Sequence, residues 1–249
     1  MPLHDHPPIA PWQERLLVNG FTPLSSVDWP GMRAATVFLR GCPWRCTYCH
    51  NPQLQRRKSG DTLLGWPHIV TALRESHQML DAVVFSGGEP TADACLGDAL
   101  AEVHALGFKT GLHTGGAYPD RLTRLLPLLD WVGFDLKTDY VHYAELTGTP
   151  DSGARATQSA RLIVASGVDH EFRLTWHHQL IAEESALLAA HFAHELGARR
   201  FVLQEYRREG VTNAQLPAHS PLPAQLVERI RLIYPDLIIR GEICGLAPG

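Results

Sequence analysis

Residues 35–52 read Ala35-Thr36-Val37-Phe38-Leu39-Arg40-Gly41-Cys42-Pro43-Trp44-Arg45-Cys46-Thr47-Tyr48-Cys49-His50-Asn51-Pro52. The first five form a short apolar, β-branched run of the kind that makes a buried strand, and they lead straight into a loop carrying three cysteines. Cys42, Cys46 and Cys49 lie within eight residues, close enough in sequence to converge on one metal centre. They are one ligand short of the four that a closed zinc or iron-sulfur site uses. If the centre is a cubane cluster, three irons are tied to the chain and the fourth stays open to a small molecule.

Outward from this loop the chain alternates strands and helices. Strands are predicted at 35–39, 82–85, 109–113, 131–134, 171–175, 200–203 and 237–239. Helices are predicted at about 66–78, 94–106, 119–129, 154–166, 183–196 and 223–233, three of them closed by Gly107, Gly167 and Gly197. Such alternation implies parallel pairing with right-handed crossovers. About six βα units fall short of the eight of a closed barrel, so the fold class expected is α/β, a partial (β/α)6 TIM-like barrel. No tandem repeat or low-complexity linker divides the chain, and residues 1–249 are expected to form one domain with 1–17 as a peripheral lead-in.

In parallel α/β folds the chemistry gathers where the strands end and the βα loops converge. Every unusual cluster here falls at such an end: the three cysteines, then Ser86-Gly87-Gly88-Glu89-Pro90, His113-Thr114-Gly115-Gly116, Asp135-Leu136-Lys137, Arg173-Leu174-Thr175-Trp176-His177 and Gln204-Glu205-Tyr206-Arg207. Read singly, Gly87-Gly88 is a turn needing positive φ and Glu89 a charge at a helix start. Beside an open iron, the glycines allow close approach and Glu89 offers a carboxylate to a ligand ammonium. Asp135 and Lys137 share one side of their strand by alternation. Arg173 reads equally as an ion-pair partner or a carboxylate clamp.

Composition narrows the class. A length of 249 residues, 45% hydrophobic, supplies one large core. A net charge of -4 without a basic run argues against a nucleic-acid or anionic-membrane surface. No apolar stretch is long enough for a span, the N-terminus lacks a signal-type apolar region, and five cysteines with three clustered suit a reducing compartment. A cytoplasmic location is expected. His177-His178 and the pair His4 and His6 read as solvated surface, and Cys95 and Cys244 as buried or idle thiols.

The spacing Cys42-x3-Cys46-x2-Cys49, with Ser86-Gly87-Gly88-Glu89-Pro90 some 40 residues on, resembles the radical S-adenosylmethionine superfamily and its glycyl-radical-enzyme activases. Gly20-Phe21-Thr22-Pro23-Leu24-Ser25-Ser26-Val27-Asp28-Trp29-Pro30-Gly31, Phe134-Asp135-Leu136-Lys137 and Tyr143-Ala144-Glu145-Leu146-Thr147-Gly148 resemble the branch of anaerobic ribonucleoside-triphosphate reductase activating proteins. The resemblance implies a [4Fe-4S] cluster on Cys42, Cys46 and Cys49 whose open iron takes S-adenosylmethionine. It implies Tyr48 near the adenine, Gly87, Gly88 and Glu89 on the methionine ammonium, and Asp135, Lys137 and Arg173 along the remaining methionine and ribose contacts. It further implies reductive cleavage to a 5′-deoxyadenosyl radical, a flavodoxin or ferredoxin-type electron donor, and hydrogen abstraction from a glycine of a partner enzyme, anaerobic ribonucleotide reductase first. Pyruvate formate-lyase activases share most of these features. Many relatives carry Asp where this chain has His113, and in pyruvate formate-lyase activases that Asp helps hold a monovalent cation. Imidazole is a poor ligand for such a cation, so the cation site is not carried over. Two other readings are a structural-zinc or electron-carrier module, which needs a fourth ligand, and a radical enzyme acting on a small molecule.

Overall fold

The computed structural model describes residues 10–57 and 64–244. Its elements, in chain order, are α1 Trp12–Arg15, β1 Val18–Ser25, β2 Ala34–Leu39, α2 Trp66–Glu75, β3 Ala82–Gly87, α3 Leu96–Ala105, β4 Lys109–Thr114, α4 Pro119–Leu125, β5 Trp131–Asp135, α5 Tyr143–Thr147, α6 Ser152–Ser166, β6 Asp169–Trp176, α7 Glu183–Leu196, β7 Phe201–Glu205, β8 Leu222–Pro223, α8 Ala224–Ile233, β9 Ile238–Arg240 and β10 Ile243–Cys244. Eight strands form one sheet in the order β1-β2-β3-β4-β5-β6-β7-β9, with β1 and β9 as its two unjoined edges. Parallel pairing runs from β2 to β9, as the alternation predicts, and makes the α/β partial barrel.

Three local features depart from the sequence reading. Between the lead-in and the first predicted strand lies β1, which pairs antiparallel with β2 and has irregular register near both ends. Its Gly, Pro and Ser content hides the alternation that marks a strand. The helix expected at 119–129 ends at Leu125 and continues as one 3-10 turn, Leu126–Leu128, because Pro127 cannot donate to the ladder. A short helix, α5, precedes α6 and braces the cysteine loop.

Alternation along the strands sorts the core into two bodies. Val37, Phe85, Leu112, Phe134, Phe172 and Leu203 face the helices and belong to the main apolar cluster. α2 meets them with Trp66, Ile69, Val70 and Leu73, a helical stripe whose residues are each worth about 1.5–3 kcal/mol when fully buried. The opposite face has its own small cluster of Trp29, Ala34, Ala82, Val84 and Trp131, with Trp29 and Trp131 stacked at 5.3 Å. Along the same face toward the strand ends the residues turn polar: His113, Asp135, Glu171, Arg173, Thr175 and Gln204. An apolar floor with a polar upper layer gives the inner face a site at one end only.

Candidate cofactor site at the strand ends

The cysteine loop is fixed by its backbone. Gly41 and Cys42 donate to the carbonyls of Leu54 and Gln55 at 2.8 and 3.0 Å, and Arg45 donates to Thr147 of α5 at 2.7 Å. The Arg45 guanidinium folds back on the carbonyls of Cys42 and Trp44 at 2.7 and 2.8 Å. Trp44 is buried, meets the Tyr143 ring at 5.9 Å, and lies where a Cβ on Gly115 would overlap it.

All three loop cysteines are free and partly exposed. Burial, with the nearby Glu89 charge, pushes the Cys42 thiol up to about 12, and burial raises Cys46 against the pull of Lys137. Thiolates in this setting need a bound cation to exist at neutral pH, which is what iron supplies. Among the described residues no three His, Cys, Asp or Glu side chains converge on a single-ion position. A four-iron cluster asks for something else, three thiolates spread over three irons, and the donor set fits that group.

Lys137 lies beside the loop, its ammonium 5.7 Å from the centre of the buried Tyr48 ring and 3.9 Å from Asp135. Burial works against that ammonium, but Tyr48, Asp135 and Cys46 outweigh it and hold its pKa well above the ordinary value. Asp135 takes a 2.9 Å bond from Arg173 Nε. Burial would raise the Asp135 carboxyl; Arg173 and Lys137 overcome it and hold the group below the usual range. Arg173 is itself buried and also donates to the Gly133 carbonyl at 3.4 Å. The structure therefore brings Tyr48, Asp135, Lys137 and Arg173 into one charged group at the ends of β5 and β6.

His113 closes that group from β4. Its Nε2 lies 2.6 Å from the Asp28 carbonyl and 3.2 Å from Arg173 Nη1. One ring nitrogen cannot donate and accept at once, and the short contact assigns it as donor to Asp28. The guanidinium thus faces an N–H, and burial together with Arg173 lowers the imidazole pKa to about 4.

The glycines and Glu89 also hold the loop and the strand ends together. Gly87 has φ +127°, and a Cβ there would collide with the Leu39 backbone; one on Gly88 would stand 2.7 Å from the Gly41 carbonyl oxygen and 2.8 Å from that of Leu54. Their smallness lets the cysteine loop pack on the end of β3. The Glu89 carboxylate, 2% exposed, accepts from Thr91 N at 3.1 Å, Thr91 Oγ1 at 2.6 Å, Thr114 Oγ1 at 2.7 Å and Gly115 N at 3.0 Å. Three of these bonds reach Oε1 and one reaches Oε2, so among the described residues one lone pair of Oε2 takes no protein donor. Glu89 ties the ends of β3 and β4 together, a structural role that stands beside the ligand contact expected from the sequence.

His177 is corrected outright. It is 1% exposed rather than solvated, since the chain turns it inward at the end of β6 against Tyr206 at 4.8 Å, where its Nδ1 accepts from Gln179 N. His178 is exposed, and His4 and His6 lie outside the described residues. Cys95 is buried and Cys244 exposed. Trp44, Thr114 and Tyr143, which shape the site, carry no chemical signal in sequence; only the quoted 143–148 segment hints at the last.

With this geometry in place, the comparisons with known proteins identify the class. The pattern of the Radical SAM superfamily matches residues 36–184, and the chain belongs to that superfamily. A Methanocaldococcus jannaschii protein named as a glycyl-radical enzyme activating enzyme is 32% identical over 146 residues, 56% of this chain and 58% of its own length. A PqqA peptide cyclase of Gluconobacter oxydans is 29% identical over 213 residues, 82% of this chain and 57% of its own length. The chain thus spans somewhat over half the length of these curated relatives. Streptococcus suis SuiB bound to precursor peptide SuiA shares the fold, with TM-score 0.61 and 19% identity, over 80% of this chain and 46% of that one. Among the described residues no helix is long and apolar enough to cross a membrane.

Proposed function

We propose that this chain is a glycyl-radical-enzyme activase that uses S-adenosylmethionine at a [4Fe-4S] cluster held by Cys42, Cys46 and Cys49, with anaerobic ribonucleoside-triphosphate reductase as its first candidate partner. When bound, the cluster and S-adenosylmethionine together supply a one-electron cleavage and a hydrogen-abstracting group. The chain's own residues supply placement. Asp135, Lys137 and Arg173 present alternating charge beside the loop for the remaining methionine and ribose contacts, and Gly87, Gly88 and Glu89 are assigned to the methionine ammonium. Tyr48 offers a buried aromatic wall next to them. Gly87 and Gly88 admit the loop to the end of β3, and Glu89 holds that end to β4, fixing the walls to within the tolerance that orientation demands. A flavodoxin or ferredoxin-type protein is the proposed electron donor.

The observation that carries the reading is the open sheet: its edges β1 and β9 are unjoined, and an unclosed barrel has an opening that a partner's glycine loop can enter. The name of the Methanocaldococcus relative supports it. Incubation of the reduced protein with S-adenosylmethionine and an anaerobic ribonucleotide reductase should give the doublet of a glycyl radical by electron paramagnetic resonance, with 5′-deoxyadenosine formed in step. A pyruvate formate-lyase relative as the responding partner would move the assignment to that branch. Cofactor cleavage with no radical on any glycyl radical enzyme of the same cell would favour the second reading, modification of a peptide or small molecule, which the long match to a peptide cyclase supports.

A further inference from the structure

Charge is segregated on this molecule. The net charge is -4, yet residues 31–57 contain five arginines and no Asp or Glu. Arg33, at the far end of β2, is paired with Asp81, and Arg57 is paired with Asp93. Arg45 and Arg56 stand on the rim of the cysteine loop and its return segment, which the bond from Cys42 N to Gln55 O holds side by side. A second segment joins them from β7. His50 Nε2 bonds the Arg207 carbonyl at 2.8 Å, and Gly210 packs so tightly on the His50 carbonyl that no Cβ fits. Arg207 and Arg208 are thereby brought to the same rim.

Among the described residues none of Arg45, Arg56, Arg207 and Arg208 enters an ion pair. The side-chain bonds of Arg45 and Arg208 go to backbone carbonyls. Asp135, Glu145 and Glu209 are acids nearby; Asp135 is already paired with Arg173 and Lys137, and Glu145 lies on the wall of a cleft of about 360 Å³ that also exposes Thr47, between the second and third cysteines. Among the described residues, four arginines free of ion pairs thus gather beside the cysteine loop, against two glutamates that likewise enter none.

Resting on the functional reading above, we propose that this arginine rim is the landing surface for a small acidic electron-transfer protein, the donor that reduces the cluster. The requirement comes from cysteine arithmetic. Beyond the loop the sequence has only Cys95 and Cys244, one buried and one exposed, so it holds no second thiolate cluster to relay an electron. Electron transfer falls steeply with distance, and a donor must therefore dock directly over this loop. The transfer moves one electron: the donor is oxidised by one, the cluster reduced by one, and no atom changes hands. Redox encounters use small interfaces steered by opposite charge, which a few unneutralised arginines on an acidic chain provide.

The test uses the reconstituted protein, a reduced flavodoxin and the double change Arg56→Glu/Arg207→Glu, since among the described residues neither guanidinium makes a hydrogen bond. Cluster reduction, followed by electron paramagnetic resonance at about 50 mM salt, should slow by about tenfold or more, and the dissociation constant for flavodoxin should rise in proportion. The wild-type rate should fall toward the variant's as salt rises to about 500 mM. Dithionite should reduce both proteins equally, and Arg124→Glu on α4 should behave as wild type. An unchanged rate and affinity would overturn the proposal. So would intact reduction with impaired radical transfer, which would assign the rim to the glycyl partner. If the charge reversal disturbs iron uptake, Arg56→Gln/Arg207→Gln serves, with a smaller loss expected and none overturning the idea. A wild type that dithionite cannot reduce to an S-adenosylmethionine-cleaving state would instead end the activase reading itself.

Discussion

Trp44 and Gly115 interlock across two strand ends: the buried indole of Trp44, in the cysteine loop, occupies the space that any side chain on Gly115 would need. The loop is thus seated by shape as well as by its backbone bonds. Gly115→Ala should push Trp44 out, costing about 1–3 kcal/mol for overpacking. Iron bound per chain after anaerobic reconstitution should fall, because Cys42 and Cys46 flank the displaced residue. Full iron content with an unchanged unfolding midpoint would show that the loop is held without this contact.

Glu89 accepts four hydrogen bonds, three on Oε1 and one on Oε2. Replacing it by Gln puts an N–H against one of four donors that now point at a carboxylate, and the loss should be about 1–3 kcal/mol, measured by urea unfolding. Thr114→Ala, which removes one donor and leaves three, should cost less. A larger cost for Thr114→Ala would mean that the hydroxyl, not the carboxylate, organises this corner.

The barrel was legible because strands facing helices must be apolar while their inner faces need not be; the runs at 82–85 and 131–134 announced themselves. β1 was not legible, since Gly20 and Pro23 break the pattern and only pairing with β2 makes a strand of it. At the site, titratable residues at strand ends were visible from spacing: Asp135, Lys137 and Arg173 are found in contact. Their partners were not. The bond from His113 to Asp28 spans 85 positions and that from Thr114 to Glu89 spans 25, and neither leaves a local periodicity. Burial of His177 leaves no local signal for the same reason, because the ring that covers it belongs to Tyr206, just past the end of β7.

His113 gives the fold a pH dependence with a defined sign. Burial, then the Arg173 charge, lowers its folded pKa from 6.5 to about 4. The unfolded chain takes up this proton below about pH 6.5 and the native one only near 4, so protonation favours unfolding and stability falls as pH drops through that window. The loss should reach about 3 kcal/mol at most, read from urea midpoints between pH 7 and 4.5. His113→Gln keeps an N–H for the Asp28 carbonyl and removes the titration, so its profile should be flatter. An identical slope in the variant would place the effect on other buried histidines.

Arg240 and Glu171 pin the last strand of the sheet. Arg240 Nη2 on β9 donates to both oxygens of Glu171 on β6 at 3.0 and 3.1 Å, reaching past β7, and the Glu171 side chain is 1% exposed. Replacing both by hydrophobic residues of similar volume can be neutral, whereas removing one partner strands a buried charge at about 3–5 kcal/mol. Arg240→Ala should therefore be strongly destabilising in urea titrations, while Arg240→Met with Glu171→Leu should recover most of the loss. The two changes are in contact, so their effects should couple rather than add. Additive losses would mean that Glu171 finds water or another donor once Arg240 is gone, and that β9 is held at the edge by its backbone ladder to β7 alone.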